Sequence, residues 1–190
     1  MTRDRRTVLA DAALSVLADG GMRALTHRAV DAAAGLPTGT TSAYLRTRKA
    51  LLTALAVRLV ELDQTELREA AGRAPLPPGA GPDELADALA RFSEARLTGE
   101  GRRRTLARYA CAVESVHQPE LREVLVPREN AARDAVRAVL AAHGAADPDG
   151  RTVTLLACVD GLVFERLTGQ AGAGGLRAEI RALVDAALRP

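Results

Sequence analysis

The chain has 190 residues, which is enough for one domain or two with a substantial core. It is 47% hydrophobic but only 2% aromatic, and its apolar residues are mainly Ala, Leu and Val, which favours an all-α fold over a β-sheet protein. The net charge is +2, but it is unevenly distributed: residues 1–50 hold eight Lys/Arg against four Asp/Glu, or +4, and the remaining residues carry −2. This asymmetry is expected for a small DNA-binding module attached to a larger, slightly acidic domain.

Cysteine usage and hydropathy exclude several other classes of protein. Cys111 and Cys158 are too few and too far apart for a disulfide framework or a metal cluster, and their apolar surroundings predict buried, reduced thiols. No stretch approaches the roughly 18 to 20 apolar residues of a membrane span, and the first residues, MTRDRRTVLADAAL, do not form the apolar h-region of a signal peptide. We therefore expect a soluble cytoplasmic protein without a cofactor, a metal or a membrane partner.

The stretch Leu25–Leu52 has the layout of a helix-turn-helix. A first helix, residues 5–19, precedes it and ends at Gly20-Gly21. Thr26 is placed to cap a second helix over residues 27–34, in which Val30 faces the core and Asp31 lies near the outer face. Gly35-Leu36-Pro37 forms the turn, and a third helix follows over residues 38–45.

The third helix has a low intrinsic helix propensity. Thr38, Thr40, Thr41 and Ser42 have short hydroxyl side chains that compete for local backbone hydrogen bonds. The same side chains can donate to phosphates or base edges, and Gly39 has no side chain to obstruct a close approach to DNA. The cations that follow oppose the dipole of the next helix, which favours an anionic partner for Arg46, Arg48 and Lys49.

Residues 5–55 resemble the DNA-binding domain of the TetR/AcrR family of bacterial transcriptional repressors. The resemblance rests on the glycine stop, on Thr26 opening the second helix, on the Ala-Gly-Leu-Pro turn, on Gly39-Thr40 and Tyr44 in the third helix, and on the basic residue before Ala50-Leu51-Leu52. The family often has an aliphatic-aromatic pair at Thr41-Ser42, an aromatic at Leu45 and an acidic residue at Lys49. The resemblance therefore implies what this stretch does and leaves open which operator sequence it reads.

By this resemblance, the positions that commonly touch DNA in the family are Thr26, Arg28, Thr38, Thr40, Tyr44 and Arg48. The chemistry of the side chains extends this set and divides the expected DNA contacts into two groups. Base edges are assigned to Thr38, Thr40, Thr41 and Ser42, with Gly39 allowing close approach, while phosphates are assigned to Thr26, Arg28, Tyr44, Arg46, Arg48 and Lys49. Phosphate contacts are expected to supply most of the affinity, and the short polar residues most of the sequence specificity.

Further helices are predicted beyond the helix-turn-helix. One over residues 51–71 connects it to the remainder, and a Pro/Gly loop follows at residues 72–82. The later helices are predicted over residues 83–99, 102–118, 120–143, 152–170 and 176–188. We expect two domains, a helix-turn-helix DNA-binding domain over residues 1–50 and a helical ligand-binding and dimerisation domain over residues 51–190.

The segment over residues 153–167 is apolar almost all round, so its helix must be buried in a core or between subunits. In the resembling family the last two long helices form a four-helix dimer interface, which implies a homodimer here. A ligand pocket is expected among the middle helices, where polar or aromatic residues interrupt apolar patterns. The candidates are Phe92, Tyr109, Cys111, Glu114, His117, Cys158, Asp160, Phe164 and Glu165.

The sequence thus predicts a ligand-responsive dimeric repressor that binds palindromic operator DNA and is released by a small-molecule effector. The alternative is a helical adaptor that binds another protein, for which Arg46→Ala and Arg48→Ala would leave DNA binding unaffected. An enzyme is disfavoured because no convergent set of nucleophile, base or metal ligands is found among the three His and two Cys residues.

Overall fold

The structure is a computed structural model of the chain and describes residues 4–73, 76–77, 79–126, 130–170 and 174–189. These residues form helices joined by turns and short connections, and no strand occurs among them, so the predicted all-α fold is confirmed. In chain order the helices are α1 (Arg5–Ala24), α2 (His27–Ala33), α3 (Thr40–Tyr44), α4 (Arg48–Arg73), α5 (Pro82–Ala95), α6 (Gly99–Glu114), α7 (Pro119–Leu125), α8 (Ala131–Ala142), α9 (Pro148–Thr168) and α10 (Leu176–Leu188).

The glycine pair in α1 kinks the helix instead of ending it. Gly21 has φ 69° and ψ −174°, outside the helical region, and the chain resumes a helical turn that ends at Ala24. A left-handed φ of this kind is accessible to glycine at little cost. The predicted end of the first helix at Gly20-Gly21 is therefore a kink within α1. Leu25, the residue after α1, is buried in the core.

The first of two compact units comprises residues 1–65 and 100–128, and so contains α1 to α3, most of α4, α6 and α7. Its apolar faces meet in one core because leucine and alanine recur at helical spacing in the longer helices, and the helix-turn-helix adds Leu25, Val30 and Leu45. Two ion pairs attach α4 to its neighbours, from Arg58 to Asp11 at 2.6 Å and from Arg108 to Asp63. The core includes Leu9, Leu17, Leu25, Val30, Leu45, Leu52, Leu55, Leu59, Ala107, Cys111 and Leu121.

The second unit comprises residues 66–99 and 129–190, and contains α5, α8, α9 and α10. Ion pairs reach from α10 to its neighbours, from Arg177 to Asp87 on α5 and from Glu179 to Arg166 on α9 at 2.7 Å. Its core is built from aliphatic side chains of all four helices, including Leu85, Ala90, Val136, Leu140, Leu155, Val159, Ile180 and Val184.

The prediction of a single helix over residues 120–143 is wrong. The helix α7 ends at Leu125, and Val126 has φ −113° and ψ 79°, outside the helical region. Pro127 follows it in the sequence, and a residue before proline is disfavoured in the helical conformation. A new helix, α8, is capped by the side chain of Asn130, which accepts a hydrogen bond from the Arg133 amide at 3.1 Å.

The compact units do not coincide with the two predicted domains. The helix-turn-helix residues share one core with α6 and α7, which the sequence prediction places in the second domain. Compactness alone does not decide which residues function together, so the domain boundary at residue 50 stays a prediction. Within the predicted loop, residues 74, 75 and 78 lie outside the described residues, and Gly79 adopts a left-handed φ of 79°.

Candidate nucleic-acid interface

The helices α2 and α3 form a helix-turn-helix, in which α2 is capped as the sequence predicts and α3 is shorter than the predicted helix over residues 38–45. The Thr26 hydroxyl oxygen accepts a hydrogen bond from the Ala29 amide at 3.1 Å, which satisfies one of the amides left unpaired at the start of α2. Gly35 ends the helix with φ 63°, and Gly39 precedes α3 with φ 95°. Both positions need a left-handed backbone, which suits glycine.

One side of α3 is exposed and carries only small side chains. Gly39, Ser42 and Ala43 are exposed at positions i, i+3 and i+4 of one helical face, and the exposed cation Arg46 lies two residues after the end of α3 at Tyr44. Thr41 and Leu45 lie on the opposite side and are buried. We call Gly39, Ser42, Ala43 and Arg46 the outer face of α3.

The assignment of Thr41 to base contacts is wrong. Its side chain has no exposed surface, and its hydroxyl donates a hydrogen bond to Asp31 Oδ1 at 2.6 Å. Thr40 is only partly exposed, and its hydroxyl donates to the Pro37 carbonyl oxygen at 2.6 Å. Of the four hydroxyl residues assigned to bases, Thr38 and Ser42 are therefore the exposed ones. Tyr44, assigned to phosphates, is 44% exposed.

The prediction that Asp31 lies near the outer face is also wrong, because its side chain is only 2% exposed. Its carboxylate accepts hydrogen bonds from the Gly39 and Thr41 amides, each at 2.7 Å, and from the Thr41 hydroxyl. Burial by itself would raise the pKa of this carboxyl, but the bonds from Thr41 and Gly39 and the proximity of His27 outweigh it and lower the pKa. Asp31 is therefore ionised at neutral pH.

The three predicted cations have different surroundings. Arg46 is exposed on the outer face of α3. The Arg48 guanidinium donates to the Leu25 carbonyl oxygen at 2.7 Å and to the Met22 carbonyl oxygen at 2.9 Å. The Lys49 ammonium pairs with Glu120 on α7 at 2.7 Å, and this hydrogen bond lowers the pKa of Glu120. Arg48 and Lys49 thus have partners inside the chain that the sequence prediction did not assign.

Arg48→Ala is expected to lower the free energy of unfolding in the absence of DNA by about 1–3 kcal/mol, because it leaves the carbonyls at the end of α1 without their charged donor. Arg46→Ala is the matched control. Arg46 is exposed like Arg48, but its guanidinium has no hydrogen-bond partner among the described residues, so we expect its effect to stay within about 0.5 kcal/mol. Urea denaturation followed by circular dichroism measures both. Equal stability of the two variants would show that the Arg48 hydrogen bonds contribute nothing.

The remaining predicted phosphate contacts, Thr26 and Arg28, are exposed at the start of α2. The structure thus gathers the exposed members of the DNA-binding set around α2 and α3. The sequence prediction missed Ala43, which lies at the centre of the outer face. Its spacing of four residues from Gly39 is the signal that would have identified it.

The nine predicted ligand-binding residues are divided between the two compact units. The first unit contains those on α6 and just after it, and the second contains Phe92 and the residues on α9. Cys158 and Glu165 line a groove of about 420 Å³ between α9 and α10, while Asp160 pairs with Arg96 at 2.9 Å. Tyr109, Glu114, His117 and Phe164 do not line this groove, and ligand binding by any of the nine stays a prediction.

The two cysteines differ in their surroundings. Cys111 is buried as predicted, and burial raises the pKa of its thiol to about 12, so it remains protonated and weakly nucleophilic at neutral pH. Cys158 is exposed, so the prediction of a buried thiol is wrong for it, because it lines the open groove between α9 and α10. Among the described residues, no cluster of His, Cys, Asp and Glu could hold a metal ion.

One side of α9 and α10 is apolar and exposed. Val153 and Phe164 on α9 are 51% and 47% exposed, and Ala157, Cys158 and Gly161 are exposed between them. On α10, alanines are exposed at every fourth position, at residues 178, 182 and 186. We call this surface the α9–α10 face.

Among the described residues, no helix is long and apolar enough to cross a membrane.

Comparison with protein-family models matches residues 80–190 to the family described as "Tetracyclin repressor-like, C-terminal domain". This match covers more than half of the chain. No curated protein matches the chain.

Several solved structures share this fold. A transcriptional regulator from Rhodococcus sp. Rha1 is similar over 97% of this chain and 96% of that chain, with a TM-score of 0.75 and 23% identity. The multidrug binding protein EbrR, complexed with ethidium, is similar over 98% and 99% of the two chains, with a TM-score of 0.72 and 23% identity. A member of the TetR family from Streptomyces coelicolor A3 is similar over 98% and 99%, with a TM-score of 0.69 and 24% identity.

Proposed function

The chain belongs to the TetR family of transcriptional regulators, and from this membership we propose that it is a dimeric repressor. It binds palindromic operator DNA through α3, and a small-molecule effector releases it. The observation that carries the proposal is the outer face of α3, which is free of bulky side chains and ends in the exposed cation Arg46.

The outer face of α3 is suited to the major groove, which is wide enough to admit a helix. Small residues at Gly39, Ser42 and Ala43 allow the backbone of α3 to approach the base edges closely. Thr26 and Arg28 at the start of α2 and Tyr44 on α3 are exposed and offer hydroxyl groups and a cation to phosphates, and Arg46 adds a second cation. Arg48 and Lys49 also belong to the proposed phosphate set, although each has a partner inside the chain.

Dimerisation through the α9–α10 face would complete the DNA-binding unit. A large apolar surface on a monomer marks an interaction site, and the alanines on α10 would let two helices approach closely. A dimer presents two copies of α3, and a palindrome read by such a dimer has half-sites about 34–36 Å apart.

Control by an effector requires that the small molecule bind the DNA-free conformation more tightly than the DNA-bound one. The description of EbrR as a multidrug binding protein supports a small organic molecule as the effector here. We propose that it binds at one or more of the nine candidate ligand-binding residues of the middle helices. The proposed function is regulatory, with no catalytic step.

Selection of bound duplexes from a random pool tests the DNA-binding proposal. We expect enrichment of an imperfect palindrome whose half-sites are separated by about one helical turn. Repeating the selection with candidate small molecules should abolish enrichment for an effector. If folded, dimeric protein enriches no duplex at low salt, the proposal is wrong.

Glu120→Gln is expected to strengthen DNA binding, because it releases Lys49 from its ion pair on α7. The gain is small, at most about 5-fold, since an exposed ion pair contributes about 0–1 kcal/mol. The slope of log affinity against log salt should become steeper by about 0.9 for each added phosphate contact. Fluorescence anisotropy with the selected operator over a salt series measures both quantities.

Glu123→Gln is the matched control for this prediction, because it makes the same charge change on an exposed position of the same helix. Equal salt slopes for the two variants would show that Lys49 does not reach DNA when Glu120 is neutralised.

A further inference from the structure

The helix α3 is too short to hold its own shape. It has five residues, and three of them are Thr or Ser, which are weak helix formers. Short helices are marginal in water and depend on packing against other elements. The position of α3 must therefore be imposed from outside, and the contacts that impose it are found on one side of α2.

The first contact holds the start of α3. The Asp31 carboxylate accepts from the Gly39 amide through Oδ2, and from the Thr41 amide and hydroxyl through Oδ1, at 2.7, 2.7 and 2.6 Å. Gly39 has a left-handed φ of 95° and offers no side-chain cap to the helix. Asp31, eight residues earlier in the sequence, thus supplies the cap that α3 itself lacks.

The second contact holds the end of α3. Nε2 of His27 lies 2.6 Å from the carbonyl oxygen of Leu45, the residue that follows the last helical turn. A carbonyl oxygen can only accept, so Nε2 carries the proton and donates it. His27 and Asp31 are four residues apart and therefore lie on the same side of α2. One side of a single helix thus holds both ends of the next.

We propose that His27 and Asp31 are positioning residues that fix α3 from both ends and thereby determine how well the protein distinguishes its operator from other DNA. This inference rests on the proposed function. Neither side chain needs to touch DNA, because Asp31 is buried and His27 donates to a backbone carbonyl. If α3 shifts, its outer face no longer meets the bases in register. Contacts from exposed side chains to phosphates tolerate small displacements and carry no sequence information.

The test compares affinity for the selected operator with affinity for a scrambled duplex at the same salt concentration. Asp31→Asn keeps the size of the side chain but directs an amide donor at groups that are themselves donors. We expect the ratio of the two affinities to fall about 10-fold or more, while binding to the scrambled duplex changes by less than about 2-fold. Asp147→Asn is the matched control, since Asp147 caps α9 and accepts from the Gly150 amide at 3.1 Å.

His27 is tested by rescue. His27→Gln retains an amide donor that can reach the Leu45 carbonyl oxygen, and His27→Ala does not. We expect His27→Gln to keep most of the operator preference and His27→Ala to lose it. An unchanged affinity ratio in both Asp31→Asn and His27→Ala, with circular dichroism showing folded protein, would overturn the proposal. Equal losses toward both duplexes would also overturn it, because they would indicate a general loss of structure.

Hydrogen exchange of backbone amides provides a test that needs no DNA. In Asp31→Asn the amides of Gly39 and Thr41 should exchange about 10-fold faster or more, while the amides within α2 keep their protection. Thr41→Val replaces the hydroxyl with a methyl group and should give a smaller increase in the exchange rates. It is the variant to measure if Asp31→Asn does not fold. Unchanged exchange at Gly39 and Thr41 would refute the positioning role. If the wild-type protein binds no DNA, the proposed function fails while this measurement still decides whether α2 holds α3.

Discussion

Gly161→Glu is expected to convert the protein into a folded monomer whose affinity for its operator is at least about 100-fold lower. Gly161 lies on the exposed side of α9, at the centre of the α9–α10 face, and a Cβ atom there would meet no atom within 4 Å in this chain. The monomer therefore has room for the added side chain. Glu is also a better helix former than Gly, by up to about 1 kcal/mol.

The loss has two causes. A carboxylate in the proposed interface would be buried against its own symmetry copy, which costs several kcal/mol. Without the dimer, each α3 binds a half-site alone and the gain from simultaneous binding disappears. Light scattering coupled to size exclusion measures the mass, and fluorescence anisotropy measures the affinity.

Gly72→Glu is the matched control for Gly161→Glu. Gly72 is an exposed helical glycine on α4, and a Cβ atom there also meets no atom within 4 Å. The control should remain dimeric with unchanged affinity. A dimeric Gly161→Glu protein would show that the α9–α10 face is not the interface.

Ala43→Glu is expected to reduce affinity for operator DNA about 100-fold or more, because it directs a carboxylate from the centre of the outer face of α3 toward an anionic groove. Ala43 is exposed and its neighbours Thr41 and Leu45 fill the core side of α3, so the longer side chain extends into solvent in the unbound protein. Thermal stability should change by no more than a surface substitution usually does, within about 0.5 kcal/mol.

Ala112→Glu on α6 makes the same change at an exposed position of the same compact unit, outside the helix-turn-helix. It controls for the effect of net charge on DNA binding. If both variants lose affinity equally, long-range repulsion accounts for the loss and α3 is not the reading helix. If Ala43→Glu binds normally, α3 does not enter the groove.

Helix positions were largely predictable from the sequence because caps and breakers are local signals. The last helix begins and ends where its apolar spacing predicts, at Leu176 and Leu188. The helix-turn-helix is recognisable because Thr26 lies at a helix N-cap, and because Gly35 and Gly39 lie where the backbone has a positive φ. The end of α7 at Leu125 is signalled by the sequence neighbour Pro127, but the apolar pattern continues on both sides of this proline and favours one longer helix.

The candidate site was predictable as a region but not residue by residue. The run of hydroxyl side chains around Thr41 was assigned to DNA as a whole, whereas the buried position of Leu45, one helical turn later, places Thr41 on the core side. Burial of Asp31 could not be predicted, because its cost is offset by partners that only the folded chain brings together. The partners of Arg48 and Lys49 are 23 and 71 residues away in the sequence, beyond any local pattern.

The absence of long side chains in the middle of the outer face of α3 has a consequence for how operators of this protein can diverge. A bidentate contact between an arginine or an asparagine and a base discriminates by about 1–3 kcal/mol, and neither Gly39, Ser42 nor Ala43 can make one. No single base pair beneath these residues is then indispensable. Binding sites in different promoters can accumulate substitutions there while remaining occupied, so the genes under this regulator are expected to share the spacing and symmetry of their operators more closely than the bases themselves.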